Sequence, residues 1–185
     1  MNFSSSGLRA AGLALSALIV LSACQKGPEK LPPACPVIKI VQDLSELTLF
    51  KDGPGRDLTD VTLEARVVEF GGFCDTDIDE DDRTGEVDVD MQVLFEATRG
   101  PASTEREGSL TYFIAIADTK DNVLVRKTFD FTFEFEGNRN RIGIIEELSQ
   151  NIPLKAGQAG EDFQILIGLQ ITDEQLQYNR AKRGR

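Results

Sequence analysis

Apolar and polar residues alternate with a period of two along much of the chain from Cys35 onward. In the clearest run, four phenylalanines between Phe129 and Phe135 are separated by polar residues. This spacing places successive side chains on opposite faces of a β-strand, so that one face is apolar and the other polar. With this run, the pattern predicts seven or eight strands, and the other segments that show it are Val87–Phe95, Phe163–Ile171, Val37–Val41, Leu47–Phe50, Val61–Phe70 and Tyr112–Ala117.

Short groups of turn-forming residues separate the predicted strands. Lys51–Gly55, Thr119–Asn122 and Glu136–Asn138 all contain residues that tolerate the dihedral angles of tight turns. Because the strands are short and no helices alternate with them, we predict an all-β fold. Its architecture would be an antiparallel immunoglobulin-like β-sandwich of seven or eight strands with a short C-terminal helix. A closed barrel is the alternative arrangement.

Two segments near the C-terminus depart from the simple alternation. Ile142–Leu154 suits a strand by its period of two, although part of its spacing would also suit a helix, and we favour the strand. Thr172-Asp173-Glu174-Gln175 matches a capping box, in which the first and last side chains each accept a hydrogen bond from the backbone amide of the other. The sequence therefore predicts a short helix from Asp173 to about Arg180. A basic tail would follow it, in solvent or against an anionic partner.

The first 23 residues have the order of parts that is typical of an export signal. Arg9 lies in a short polar region, an apolar run covers Ala10–Leu21, and small residues come before Cys24. A run of about a dozen apolar residues is too short to cross a hydrocarbon core of ~30 Å, which needs about 20 helical residues. We therefore predict that residues 1–23 are a signal peptide and not a permanent membrane helix.

Leu21-Ser22-Ala23-Cys24 resembles the lipobox of bacterial lipoproteins. The resemblance implies cleavage before Cys24, a diacylglyceryl group on its thiol and acylation of its new amine, for example with palmitate. Two or three acyl chains anchor a protein stably, since each buried CH₂ contributes about 0.8 kcal/mol. Gln25 stands where an aspartate would imply retention at the inner membrane, so the resemblance implies an anchor in the outer membrane.

Residues 24–34 contain Pro28, Pro32 and Pro33 and show no hydrophobic period. We interpret them as a Pro-rich tether that begins at the lipidated Cys24. At ~3.1 Å per residue, such a segment would hold a folded domain up to about 30 Å from the membrane. The chain thus divides into a signal peptide (1–23), a tether (24–34) and a β-sandwich domain with a C-terminal helix and basic tail (35–185).

The chain is strongly acidic, with 20 Lys and Arg against 31 Asp and Glu and a net charge of −11. Arg9 is the single charged residue of the predicted signal peptide, so the chain from Cys24 onward carries −12. The field of such a domain repels nucleic acids and anionic headgroups. Nucleic-acid binding is therefore disfavoured, and a partner of another class is expected.

Cys35 and Cys74 remain once Cys24 is lipidated. An even pair of cysteines in an oxidising compartment predicts a disulfide, with two free buried thiols as the alternative. A catalytic redox pair is not expected, because the sequence has no Cys-x-x-Cys spacing. The pair is therefore predicted to be structural.

The densest acidic run covers residues 75–82. Asp75, Asp77, Asp79 and Glu86 fall at positions 1, 3, 5 and 12 of a calcium-loop pattern. Glu80 occupies the position where that loop needs a glycine, and the flanking segments have the pattern of strands and not of helices. We therefore expect a solvated loop between two strands and no cofactor. Calcium binding in another geometry, which would make the domain a calcium-modulated binding module, is the alternative.

The chain contains no histidine. Histidine is the usual general base and the commonest zinc ligand, so its absence disfavours most hydrolase mechanisms. A carboxylate-based envelope hydrolase is the remaining enzymatic alternative, but no spacing singles out an acid and a nucleophile. We therefore expect a protein that is not an enzyme.

Two further parts of the sequence resemble short envelope lipoproteins of Gram-negative bacteria that have no assigned function. One part is Cys35–Ile38 together with Gly55–Val61, and the other is Ile167–Arg180. The resemblance implies an envelope address and supplies no catalytic residues. The leading hypothesis is a non-enzymatic binding or scaffold lipoprotein on the periplasmic face of the outer membrane. It would dock another envelope protein through a sandwich surface or an edge strand.

Overall fold

Eight strands and one α-helix are the main elements of residues 34–184, the part of the chain that this computed structural model describes. The predicted signal peptide, the predicted lipid on Cys24 and all of the predicted tether except Ala34 lie outside the described residues. The helix α1 covers Asp173–Arg183. The strands are β1 Val37–Ile40, β2 Glu46–Phe50, β3 Val61–Ile78, β4 Gly85–Arg99, β5 Glu107–Asp118, β6 Val123–Glu134, β7 Arg141–Leu154 and β8 Phe163–Leu169.

The strands form two four-stranded sheets, which confirms the predicted all-β sandwich. The first sheet has the order β1-β8-β5-β6, and the second sheet has the order β2-β3-β4-β7. Neighbouring strands are antiparallel except β1 and β8, which pair in parallel. No hairpin joins β1 to β8, so no tight turn fixes their relative direction.

The inward-facing residues of the two sheets form one apolar core, as the period of two predicts. Phe95 of β4 joins the sheets, since its buried ring lies 4.9 Å from the ring of Tyr112 and 5.2 Å from that of Phe131. Aromatic pairs at such distances add about 0.5–1.5 kcal/mol beyond the burial of area. Phe129 and Phe133 of β6 are half-buried, because β6 lies at the edge of its sheet, whereas Phe135, directly after the strand, is buried.

The structure settles the conformation of one ambiguous segment and extends one predicted strand. Ile142–Leu154, which the spacing left between strand and helix, lies in strand β7, and this confirms the favoured interpretation. The strand predicted to end at Phe70 continues to Ile78, because β4 pairs with it as far as the Ile78–Gly85 pair. Because β3 has 18 residues, part of its edge has no neighbouring strand among residues 34–184.

Helix α1 begins as the capping box predicts and ends at Arg183, a little beyond the expected end at Arg180. The Thr172 hydroxyl accepts a hydrogen bond from the Gln175 amide at 3.3 Å, and the Gln175 side chain accepts one from the Thr172 amide at 2.7 Å. Basic side chains favour the last turn of a helix because they face the negative end of its dipole.

Among residues 34–184, no helix has the length and apolar character needed to cross a membrane.

The basic residues of the last helical turn form ion pairs within the domain, where the sequence predicts a tail in solvent. Arg180 and Arg183 contact the Asp43 carboxylate at 2.6 and 3.1 Å, and Lys182 contacts Glu64 at 3.3 Å. The hydrogen bond from Arg180 holds the pKa of Asp43 below its usual value. These contacts join the C-terminal helix to both β3 and the segment before β2.

Helix α1 also covers the outer edge of β2. The Asn179 side chain is buried, and its amide nitrogen donates a hydrogen bond to the Glu46 carbonyl at 2.7 Å. At the preceding position of the helix, the ring of Tyr178 packs edge-on against Phe50, with 5.1 Å between centroids. The helix therefore occupies part of an edge that would otherwise expose backbone hydrogen-bonding groups.

The predicted disulfide between Cys35 and Cys74 is confirmed. It joins residues 39 apart in the sequence, with 5.8 Å between the two Cα atoms. Cys74 lies in the C-terminal half of β3, so the bond fixes the beginning of the described chain beside that strand.

Replacing Cys35 and Cys74 with serine together should lower the free energy of unfolding by about 4 kcal/mol, because the bond closes a long loop in the unfolded chain. Urea unfolding of the full chain measures the difference. Reductant should bring the unsubstituted chain close to the variant and leave the variant unchanged. Equal stability of the two oxidised proteins would contradict the prediction.

Candidate docking surface on the second sheet

The end of the second sheet that contains the C-terminal half of β3 presents an acidic outer face. Val87, Val89 and Met91 of β4 face the core, so the residues between them in the sequence face outward. The side chains of directly paired residues in an antiparallel sheet lie on the same side, so their partners on β3 face outward as well. Asp75 pairs with Asp88 and Asp77 with Glu86. We define the acidic face as the outward carboxylates at this end of β3, β4 and β7, which are Glu69, Asp75, Asp77, Glu86, Asp88, Asp90 and Glu147. Glu64 and Glu96, at the other end of the sheet, form ion pairs with basic residues.

The hydrogen-bond partners of the acidic face are neutral. The Asn151 side chain donates to Glu86 and to Asp88, each at 2.8 Å. The Ser149 hydroxyl donates to Asp90, and the Gln92 amide donates to Glu147 at 3.0 Å. None of these carboxylates pairs with a Lys or Arg of residues 34–184. Neutral donors satisfy lone pairs but leave the negative charge in place.

One long edge of β3 has no strand beside it in the described part of the chain. The pairing of β2 with β3 ends at Arg66, and the Val67 amide donates to the Ser45 carbonyl at 2.9 Å. From Val68 to Ile78, β4 is the only strand among residues 34–184 that pairs with β3. We call Val68–Ile78 the open edge. It exists because β2 has five residues and β3 has 18.

Apolar side chains are exposed along the open edge. Phe73 is 68% exposed, while Val68 and Phe70 are 39% and 38% exposed. Beside Phe73, Gly71 and Gly72 leave a hollow of about 590 Å³ on the sheet, which Gln92 and Glu147 also line. A side chain at Gly72 would bring its Cβ to 2.4 Å from the Asp90 carbonyl oxygen, so glycine permits the close approach of β3 and β4 there.

The other long edges carry a feature that hinders strand addition. Lys127 of edge strand β6 pairs with the core residue Ile114, and Glu146 of edge strand β7 pairs with the core residue Val93. Each therefore places a charge on the inner face of its sheet, and such inward charges protect edge strands from unwanted pairing. The Tyr112 hydroxyl donates to Glu146 at 3.4 Å, and burial together with this carboxylate raises the pKa of Tyr112.

The four residues predicted as a calcium loop are distributed over two strands and a turn. Asp77 and Glu86 face each other across β3 and β4, and Asp75 lies beside them on the acidic face. Asp79 lies in the turn, where its carboxylate accepts hydrogen bonds from the amides of Asp81 at 2.8 Å and Asp82 at 3.3 Å. Among residues 34–184, no three side chains of the metal-binding types are grouped to hold an ion. Calcium binding stays a prediction from sequence.

The turn between β3 and β4 uses its acidic residues as hydrogen-bond acceptors. The Asp82 carboxylate accepts from both the amide and the hydroxyl of Thr84, at 2.9 and 2.7 Å. These bonds lower the pKa of Asp82. Arg83 adopts φ of 63°, in the left-handed region, and its amide donates to the Asp79 carbonyl at 3.0 Å. The acidic run therefore has a structural role that the sequence pattern did not reveal.

Comparison of the chain with protein families, with curated proteins and with solved structures finds no match. A fold alone does not determine a function, so the function has to be argued from the residues of the surface itself. The sequence predicts docking through a sandwich surface or an edge strand, but it indicates neither this edge nor Phe73. The interruption of the apolar alternation by Gly71 and Gly72 is the one signal that could have indicated them.

Replacing Asp79 with alanine should lower the free energy of unfolding by about 1 kcal/mol, because two backbone amides of the turn lose their acceptor. Asp79→Asn keeps a side-chain oxygen and should retain most of the stability. Asp81→Ala is the matched control, since the Asp81 side chain is exposed. Equal losses for Asp79→Ala and Asp79→Asn, measured by urea unfolding, would show that the negative charge matters and not the hydrogen bonds.

Proposed function

We propose that the protein is a lipoprotein anchored in the outer membrane through Cys24, with a β-sandwich that docks another envelope component and catalyses no reaction. The observation that carries the docking role is the open edge of β3, together with the exposed Phe73 on it. The anchor rests on the sequence of residues 1–25.

An open strand edge supports docking because its backbone can recruit an extended segment of another chain. Backbone hydrogen bonds then provide affinity, and the side chains on each face provide specificity. Proteins normally protect long edges with inward charges, helices or short strands. In this fold β6 and β7 carry inward charges, and α1 covers part of β2, whereas the inward-facing residues of the open edge are uncharged. Exposed apolar side chains also occur on the other long edges, for example Val123 on β6 and Ile145 on β7.

Four aspartates of the domain have structural roles as hydrogen-bond acceptors. Hydrogen bonds lower the pKa values of Asp43, Asp60, Asp82 and Asp118. The general acid of a carboxylate-based hydrolase needs the opposite shift, a raised pKa, so none of these four is a candidate for that role.

Mass spectrometry of the protein from native membranes should show that the mature chain begins at Cys24 and that this residue carries a diacylglyceryl group and an amide-linked acyl chain. The physical reason for stable retention is the acyl content, since each buried CH₂ contributes about 0.8 kcal/mol. Cys24→Ser should abolish the modification and release the protein from the membrane. An unmodified Cys24, or cleavage at another position, would refute the anchor.

A photo-reactive amino acid in place of Phe73 should give one reproducible crosslinked protein in intact cells. Leu58 is the matched control, because it is 75% exposed and lies outside the open edge, between β2 and β3. Substitution at Leu58 should give no such product. Identical products from both positions, or none from Phe73, would contradict docking at the open edge, and the products are identified by mass spectrometry.

A further inference from the structure

We propose that the segment docked on the open edge is an extended, cationic strand of a partner protein, with basic and apolar side chains in alternation. This inference rests on the proposed docking function and adds the chemistry of the partner.

The charge around the open edge is almost entirely negative. The sequence from Glu69 to Asp90 contains ten carboxylates and one cation, Arg83. Within residues 34–184, the strand carboxylates of this group accept hydrogen bonds from neutral donors and form no ion pair. Opposite charges that face each other across neighbouring strands stabilise the pairing, and a cleft of one sign attracts ligands of the other sign. A cationic strand fits this field.

The two faces of β3 define where the basic side chains belong. Phe73, Asp75 and Asp77 lie on the outer face, opposite Asp90, Asp88 and Glu86. Phe70 lies on the other face, opposite the core residue Val93. A strand added to the edge alternates its side chains in the same way. Its outward residues would therefore meet carboxylates and one aromatic ring, and its inward residues would meet Phe70.

A second copy of this chain is a poor occupant of the open edge. Pairing two copies through this edge would place the carboxylates of Glu69, Asp75 and Asp77 next to those of the other copy. Like charges that face each other across strands destabilise the pair. The same carboxylates thus oppose self-association and favour a basic segment, and this asymmetry selects a partner other than the chain itself.

The predicted tether is a poor occupant for a different reason. It contains Lys26 and Lys30, but also Pro28, Pro32 and Pro33. Proline cannot donate a backbone hydrogen bond and is restricted to special positions of a sheet. A segment with three prolines in its length therefore cannot form a regular ladder along the open edge.

The test uses the full lipidated chain in non-ionic detergent and a fluorescein-labelled peptide of ten alternating Lys and Val residues. Fluorescence anisotropy measures binding, and hydrogen exchange locates it. One control peptide has proline in place of the three central valines, which keeps the charge but prevents a ladder. A second has glutamate in place of lysine. The charge-reversal variant is Asp75→Lys with Asp77→Lys, and the matched variant is Glu107→Lys with Glu136→Lys, at exposed positions away from the open edge.

The alternating peptide should bind and protect the amides of residues 68–78. The double reversal at Asp75 and Asp77 should weaken binding about tenfold, whereas the matched variant should change it less than about twofold. Both control peptides should bind at least about tenfold more weakly. Circular dichroism verifies that each variant retains its β-sheet.

Three results would overturn the inference: no binding of the alternating peptide, equal binding of the proline peptide, or protection confined to β6 or β7. Binding that appears only after residues 25–33 are replaced with Gly and Ser would show that the tether fills the edge, and would also overturn it. If crosslinks from Phe73 persist while the peptide fails, the docking function stands without this partner chemistry. If both fail, the docking function fails as well.

Discussion

The mismatch in length between β2 and β3 is the constraint on which the surface of this domain depends. A strand of five residues cannot satisfy the edge of a strand of 18, so within residues 34–184 most of the C-terminal half of β3 has a neighbouring strand on one side only. Backbone amides and carbonyls at such an edge need water or another chain to complete their hydrogen bonds.

The disulfide and the turn hold the C-terminal half of β3 in place. Cys35 attaches the beginning of the described chain to the inner side of β3 at Cys74, and β4 pairs with β3 down to the last residue before the turn. Asp79 and Asp82 then close the turn with hydrogen bonds to backbone amides. A strand that is held in this way is preorganised for the proposed partner, and preorganisation lowers the entropic cost of binding.

Much of the fold could be predicted from the period of two, because the side chains that face the core are also the apolar ones. The C-terminal helix was predictable for a different local reason, the capping box at Thr172, which depends on four consecutive residues. The order of strands in the sheets was not predictable, because it depends on contacts between residues far apart in the sequence. The parallel pairing of β1 with β8 joins residues about 127 positions apart, Val37 with Gln164 and its neighbours.

The acidic run shows why the site was harder to predict than the fold. Positions 1, 3 and 5 of a calcium loop have the same spacing as the outward residues of a strand. Asp75 and Asp77 satisfy both patterns, and only the inward-facing side chains of Cys74 and Ile78, which pack against the core, distinguish the strand. The sequence alone therefore predicted the end of β3 too early. As a result, it did not indicate the length of the open edge.

The negative charge beside the open edge has two consequences that act together. An edge with exposed aromatic side chains invites pairing with any extended segment, including the same edge of another copy. Carboxylates at Asp75 and Asp77 raise the free energy of that self-pairing and lower the free energy of pairing with a basic strand. Specificity is a difference between such free energies, so a repulsive element contributes to it as much as an attractive one. The acidic face can therefore keep a long edge open for a partner while it limits aggregation.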